Sequence, residues 1–169
     1  LLEAIKRHDH ESIALRDSEH ILTYAALNTE ITVQANAWHT LNQDSTQRLA
    51  LAMENSPAWV VLDLAAMHCG MPHVPLPLFF SRDQWLHAMR DAGVTVLVTD
   101  QPQAFAKLLE GHVNSRNEFT LLGKRLTQFI LHDVTAASLP AGTAKITYTS
   151  GTTGTPKGVC LSNDNMLSV

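Results

Sequence analysis

The sequence lacks three features that would each have pointed to a particular class of protein. It contains only two cysteines, Cys69 and Cys160, which match neither a disulfide framework nor a zinc-site spacing. This usage is typical of the reducing cytosol, so we expect a cytoplasmic protein. No run of lysine and arginine is present, and we therefore expect no nucleic-acid partner. The most apolar run, residues 58–67, is too short to span a bilayer and contains Asp63.

What is present is the composition of an ordinary globular domain. Of the 169 residues, 45% are hydrophobic and 17% are charged, and the formal net charge is -4. This length and hydrophobic content suffice for one domain with a sizeable core. The chain begins at Leu1 rather than Met and stops at Val169, so we expect residues 1–169 to be a portion of a longer protein.

The middle of the chain has the pattern of parallel βαβ units. Short apolar runs predict buried strands at residues 48–53, 73–76 and 94–100. Two helices are predicted between them, one capped by Ser56 and ending near Gly70, the other capped by Ser81 and ending at Gly93. Alternation of strands and helices predicts a mostly parallel sheet flanked by helices, an α/β fold.

Before this region, residues 13–17 and 20–24 predict two short strands that form a hairpin. Thr23 is a candidate cap for a helix over residues 24–41. Apolar residues at helical spacing predict its buried face: Leu27, Ile31, Ala35 and Trp38.

After residue 100 the hydrophobic pattern is weaker. It predicts a short helix over 103–109, a polar loop over 112–117, a strand over 129–133 and an extended run over 159–161. Residues 144–149 alternate, which predicts a strand with Ala144, Ile146 and Tyr148 on one side. A last helix is predicted to be capped by Ser162 or Asn163.

The stretch TSGTTGTPKG, residues 149–158, has the chemistry of an anion-binding loop. Its glycines allow the backbone to approach a bulky anion, and its amide and hydroxyl groups are donors for phosphate oxygens. Lys157 adds a positive charge, and Pro156 restricts the backbone just before it. The stretch matches neither the Walker A pattern nor the GxGxxG dinucleotide pattern. Composition alone would equally allow a hairpin that happens to be rich in threonine and glycine.

Resemblance to a known family favours the anion-binding interpretation. YTSGTTGTPKGV resembles the phosphate loop of the adenylate-forming superfamily, which includes acyl-CoA synthetases, luciferases and peptide-synthetase adenylation domains. The segments LTYAALNTEITVQANAWHTL, RLALAMENSPAWVVLDLAAMHCGMPHVPLP and DAGVTVLVTD resemble earlier parts of the same family, in family order. The resemblance implies that residues 1–169 are the N-terminal subdomain of the large domain of such an enzyme, ending just after the phosphate loop.

The activity implied by the resemblance is ATP-dependent activation of a carboxylic acid as an acyl-adenylate, with release of pyrophosphate and transfer of the acyl group to a thiol. The implied cofactors and partners are ATP with Mg²⁺, the acid, and coenzyme A or the phosphopantetheine arm of a carrier protein. The implied ligands of the β- and γ-phosphates are Thr149, Ser150, Gly151, Thr152, Thr153 and Gly154, and Lys157 is expected to steady the loop or the pyrophosphate. The catalytic lysine and the Mg²⁺ ligands are expected in a C-terminal part beyond Val169, so we expect no adenylation by these residues alone.

Other interpretations of the sequence remain open. The chain could belong to a non-catalytic nucleotide- or phosphate-binding module, or to an adenylation domain that activates amino acids. Clustered histidines at His8 and His10, and at His68 and His73, do not complete a zinc pattern and are predicted to be surface or core residues. Cys160 is predicted to be a small, buried apolar residue.

Overall fold

The computed structural model describes residues 2–43, 46–135, 138–149 and 155–168. After a short helix α1 (Leu2–Ile5), strands β1 (Ile13–Arg16) and β2 (Ile21–Thr23) pair antiparallel, which confirms the predicted hairpin. Helix α2 (Tyr24–Leu41) follows, and the Thr23 hydroxyl accepts a hydrogen bond from the backbone of its first turn. The four residues predicted to form its apolar face are all buried.

Seven strands form one sheet in the order β6-β7-β5-β3-β4-β8-β9. Their bounds are β3 Leu49–Ala52, β4 His73–Pro75, β5 Val96–Thr99, β6 Val113–Leu121, β7 Lys124–Leu131, β8 Thr143–Thr149 and β9 Lys157–Ser162. The four central strands, β5, β3, β4 and β8, run parallel to one another, whereas β7, β6 and β9 pair antiparallel at the two edges. The predicted α/β fold class is confirmed, with antiparallel edge strands as an addition.

Four more helices follow α2, and three of them begin at a capping serine. They are α3 Pro57–His68, α4 Arg82–Ala92, α5 Pro102–Leu108 and α6 Asn163–Leu167. Ser56, Ser81 and Ser162 each cap a helix, and Gly93 ends α4 in the left-handed conformation, with φ of 66°. In the described parts of the chain, no helix combines the length and apolar character needed to cross a membrane.

Two apolar clusters cover the two faces of the sheet. Leu49 and Leu51 of β3 join a cluster formed with α2 and α3, while Ala50 and Ala52 join a second cluster formed with α4 and α5. This strand is therefore buried on both faces, as its uninterrupted apolar run predicts.

Of residues 112–117, predicted as a polar loop, 113–117 form the first part of strand β6, so that prediction was wrong. The strand is held by its antiparallel ladder to β7, and most of its side chains are exposed at the sheet edge. A tight turn joins the two strands through Leu122 and Gly123, whose φ angles are 46° and 72°. Sequence patterns missed the hairpin because its strand is polar and its turn lacks the usual Asn-Gly or Asp-Gly signal.

A buried ionic cluster links α3 to the centre of the sheet. One carboxylate oxygen of Asp63 lies 2.8 Å from His73 Nε2, and the other accepts a hydrogen bond from Lys145 Nζ at 2.8 Å. The side chains are 8%, 0% and 15% exposed, respectively. Burial alone would raise the pKa of Asp63, but hydrogen bonds and charge from His73 and Lys145 outweigh it and hold the pKa below its usual range.

The lowered pKa of Asp63 predicts an acid-sensitive contribution to stability. The contribution is complete above the ordinary aspartate pKa of about 3.9 and is lost as the pH falls through the lower folded-state value, because the folded state then binds a proton less readily than the unfolded state. In urea unfolding at pH 7 and pH 3, the stability difference between the wild type and Asp63→Asn should shrink at the lower pH. A difference that stays constant would contradict this assignment.

Candidate functional site: the β8–β9 hairpin

The candidate site lies at the carboxyl end of β8. This strand runs parallel to β4, so its last residue, Thr149, lies at the sheet edge where open α/β sheets bind ligands. Thr149 is paired directly with Lys157, the first residue of β9. Both residues are exposed. Directly opposed residues of antiparallel strands project from the same face, with Cβ atoms about 5 Å apart.

Two of the predicted site residues are thereby brought together, and the others cannot be placed. The predicted phosphate ligands Ser150, Gly151, Thr152, Thr153 and Gly154 lie outside the described residues. The structure shows Thr149 and Lys157 on the two strands at the base of the segment that contains them. The site is therefore defined here by the hairpin base.

Pro156 differs in burial from its neighbours. It is buried, although Thr155 and Lys157 on either side are exposed. The Pro156 carbonyl oxygen accepts a hydrogen bond from His87 Nε2 of α4 at 3.0 Å. The residue just before Lys157 is thus held against the body of the protein while Lys157 faces solvent.

Tyr148, the residue before Thr149 on β8, is also hydrogen-bonded to α4. Tyr148 is 7% exposed and donates its hydroxyl hydrogen bond to Asp91 at 2.6 Å. Burial, the hydrogen bond to Asp91 and the charge of Asp91 all raise the pKa of the Tyr148 hydroxyl, so it remains protonated and continues to donate. The alternation of residues 144–149 predicts Tyr148 on the same side of the strand as Ile146, and both are buried. No sequence pattern pointed to Asp91 or His87.

Gly158 makes room for this tyrosine. It pairs with Tyr148 across the hairpin, and a Cβ atom at Gly158 would lie 3.0 Å from Tyr148 Cζ and 3.1 Å from Ile146 Cγ2. Contacts below about 3.4 Å require the neighbouring side chain to move. The glycine of the PKG sequence therefore serves the packing of the hairpin, in addition to any part in the loop.

Replacing Gly158 with alanine should displace the Tyr148 ring and lower the free energy of unfolding by about 1–3 kcal/mol, the usual cost of overpacking. Urea denaturation checks the value. The matched control is the same substitution in a Tyr148→Ala background, where the obstructing ring is absent and only the contact with Ile146 remains, so the cost should be clearly smaller. An equal cost in both backgrounds would show that the ring contact is not responsible.

The electrostatics of the hairpin base suit an anion. Within the described residues, Lys157 forms no ion pair, and the Thr149 hydroxyl has no side-chain hydrogen-bond partner. An exposed ammonium group opposite an exposed hydroxyl fits the oxygens of a phosphate chain. The described residues contain no group of three or more His, Cys, Asp or Glu side chains arranged to hold a metal ion.

Four of the histidines and cysteines singled out in the sequence make packing or ionic contacts. His8 stacks on Tyr24 with ring centroids 4.3 Å apart, and His73 is the buried member of the ionic cluster. Cys69 and Cys160 are free and partly buried, and Cys160 packs against the apolar cluster on the α4 face. The histidine positions agree with the predicted surface or core roles, whereas Cys160 is only partly buried and not buried as predicted.

Comparison with known protein families identifies the family of the chain. The model of the AMP-binding enzyme family matches residues 2–169. The chain belongs to the AMP-binding enzyme family. The predicted resemblance to adenylate-forming enzymes is confirmed, and the hairpin is this family member's version of the segment that carries the resemblance.

Individual relatives agree with this family. Surfactin synthase subunit 1 of Bacillus subtilis is 30% identical in an alignment of 168 positions that covers 98% of this chain and 4% of that protein. Crotonobetaine/carnitine–CoA ligase of Salmonella paratyphi A is 26% identical in an alignment of 160 positions that covers 85% of this chain and 31% of the ligase. This chain therefore spans less than a third of the length of either relative.

The fold is also found in solved structures. The o-succinylbenzoate coenzyme A synthetase of Bacillus subtilis, solved in complex with AMP, superposes with a TM-score of 0.67 at 22% identity. The superposition covers 99% of this chain and 43% of the synthetase. This confirms that the sheet and helices described above have the architecture of part of an adenylate-forming enzyme.

Proposed function

We propose that the chain supplies the triphosphate-binding hairpin of an AMP-forming acid–thiol ligase. In the proposed reaction, a carboxylate attacks the α-phosphate of ATP, pyrophosphate leaves, and the acyl-adenylate passes its acyl group to a thiol with release of AMP. The observation that carries the proposal is the family match over residues 2–169. The exposed Thr149–Lys157 pair at the carboxyl edge of the sheet supports it.

The contribution of the hairpin is the stabilisation of negative charge. Charge develops on the pyrophosphate as its bond to the α-phosphorus breaks, and donors already in position stabilise it without reorganisation. In the proposal, Thr149, Ser150, Gly151, Thr152, Thr153 and Gly154 bind the β- and γ-phosphates, and Lys157 provides the balancing positive charge.

The other reactants are proposed from the family rather than from the described residues. Enzymes of this family use ATP together with Mg²⁺. The described carboxylates form no cluster that fits this ion, so its ligands are proposed to lie elsewhere in the complete protein. The acceptor is proposed to be coenzyme A or the phosphopantetheine arm of a carrier protein. Similarity to both a synthase subunit and a CoA ligase supports these two acceptors equally. A cytoplasmic location agrees with the two free thiols.

The test is exchange of radiolabelled pyrophosphate into ATP by the complete protein that contains this chain. Fatty acids, aromatic acids and amino acids are supplied separately, and one class should produce exchange well above the acid-free rate. The same 169-residue chain alone should give no exchange. Exchange with amino acids only would favour an amino-acid-activating adenylation domain. Nucleotide binding without exchange for any acid would favour a non-catalytic module and contradict the proposed reaction.

A further inference from the structure

Helix α4 presents two polar side chains to the base of the hairpin. His87 and Asp91 are four residues apart, so they lie on the same side of the helix, one turn from each other. The opposite, apolar side of α4 is anchored in the core through Trp85 and Met89, which are 7% and 4% exposed. Because its apolar side is packed in the core, α4 can hold in place the hairpin residues that its polar side contacts.

Each of these side chains binds a different strand of the hairpin. Asp91 accepts the hydroxyl hydrogen bond of Tyr148, the residue that precedes Thr149 on β8. His87 donates to the carbonyl oxygen of Pro156, the residue that precedes Lys157 at the start of β9. The two contacts therefore flank the segment between the strands on both sides.

The chemistry of each contact makes it directional. A carbonyl oxygen can only accept, so Nε2 of His87 carries the proton in this contact. The Tyr148 contact joins a hydroxyl to a carboxylate at 2.6 Å, a short distance typical of charge-assisted hydrogen bonds. Strand alternation and the cross-strand pairing then place Thr149 and Lys157 on the face of the sheet opposite to Tyr148.

We propose that His87 and Asp91 are positioning residues that hold the two ends of the phosphate hairpin, and thereby set where Thr149 and Lys157 meet the nucleotide. This inference rests on the proposed function of the hairpin. Neither residue touches the nucleotide in the proposal, because both act on the face of the hairpin turned towards α4. Small displacements of groups that hold a reacting substrate have large effects on rate, which is why positions behind the site matter.

The proposal predicts a pattern that a merely stabilising contact would not produce. His87 is only partly buried, and one hydrogen bond is a small part of the stability of a domain, so the fold should survive its replacement. A positioning role should raise the KM for ATP and lower kcat, while the KM for the acid stays unchanged. A general loss of stability would instead reduce the amount of active protein and leave both KM values unaltered.

The decisive variants are His87→Leu, which keeps bulk but removes the donor, and His87→Gln, whose amide nitrogen can replace Nε2. The matched control is His39→Leu, because His39 is an exposed helical histidine at the end of α2. Amide hydrogen exchange at residues 157–160 is measured in this chain, and steady-state kinetics are measured in the complete protein.

We expect His87→Leu to speed amide hydrogen exchange at residues 157–160 and to lower kcat/KM for ATP, each by about fivefold, the equivalent of one typical hydrogen bond. His87→Gln should recover most of both losses, and His39→Leu should match the wild type. Tyr148→Phe, which removes the other contact, should change the same two readouts in the same direction.

The outcomes separate failure of this inference from failure of the proposed function. If amide hydrogen exchange at residues 157–160 is the same in His87→Leu as in the wild type, the positioning role is overturned, whatever the complete protein binds. Equal losses in His87→Leu and His87→Gln would also overturn it, since the donor would then be irrelevant. A wild-type complete protein that shows no acid-dependent exchange of pyrophosphate into ATP would overturn the proposed function and, with it, the nucleotide role of these two residues.

Discussion

Replacing Asp63 with alanine should lower the free energy of unfolding by about 3–5 kcal/mol, the usual cost of removing one partner from a buried ion pair. The substitution leaves His73, which is fully buried, and the Lys145 ammonium group without their carboxylate partner. Lys145 would retain its contact with the Trp59 ring, at 5.9 Å from the ring centroid. Urea or thermal denaturation of the purified chain measures the loss.

The control for Asp63 is Asp83→Ala. Asp83 is also a helical aspartate, but it is exposed in the first turn of α4, so its loss should cost no more than about 1 kcal/mol. Equal costs at the two positions would show that burial and pairing are not what makes Asp63 important. The double variant Asp63→Ala/Lys145→Met should be more stable than Asp63→Ala alone, because it removes the unpaired ammonium group as well.

Replacing Lys157 with methionine should reduce kcat for ATP–pyrophosphate exchange by about 10²-fold in the complete protein. The reason is the loss of a positive charge already in position where charge develops on the pyrophosphate, an effect of that order in enzymes that bind a developing anion. Since Lys157 is exposed and forms no ion pair with the rest of the described chain, the unfolding midpoint should stay unchanged.

Lys107→Met is the matched control for this substitution. Lys107 is an exposed lysine on α5, remote from the hairpin strands in sequence, and its replacement removes the same charge from the protein. Its exchange rate should equal that of the wild type. If Lys157→Met retained the full rate, or if both variants lost activity to the same extent, a specific contact between Lys157 and the nucleotide would be ruled out.

Much of the fold could be predicted because its signals are local. Thr23, Ser56 and Ser81 cap helices through hydrogen bonds to residues three positions later, so the relevant groups are neighbours in sequence. The β6–β7 hairpin could not be predicted in this way. Its first strand is stabilised by backbone pairing at an exposed edge, and its Leu122-Gly123 turn carries no strong turn signature.

The site, too, has residues that could be recognised from the sequence and residues that could not. The segment from Thr149 to Lys157 was recognisable from its glycines, hydroxyls and lysine, and the family match confirms the resemblance. His87 and Asp91 were not recognisable, because their partners lie 69 and 57 residues away in the sequence. Asp63 did leave a signal: a lone carboxylate in an apolar helix requires a buried partner, although nothing in the sequence says which one.

By itself, the sequence determined the order of helices and strands in the parallel core, the two-sided burial of its central strand and the glycine, hydroxyl and lysine chemistry of residues 149–158. Those properties depend on residue types within one or two turns of chain. Only the tertiary structure decided that His87 and Asp91 of α4 form hydrogen bonds with both sides of the hairpin. It likewise decided that Asp63 pairs with Lys145, which lies 82 residues away in the sequence. Such pairs depend on how crossovers place distant segments side by side, and many sequences with the same local pattern would place different side chains there.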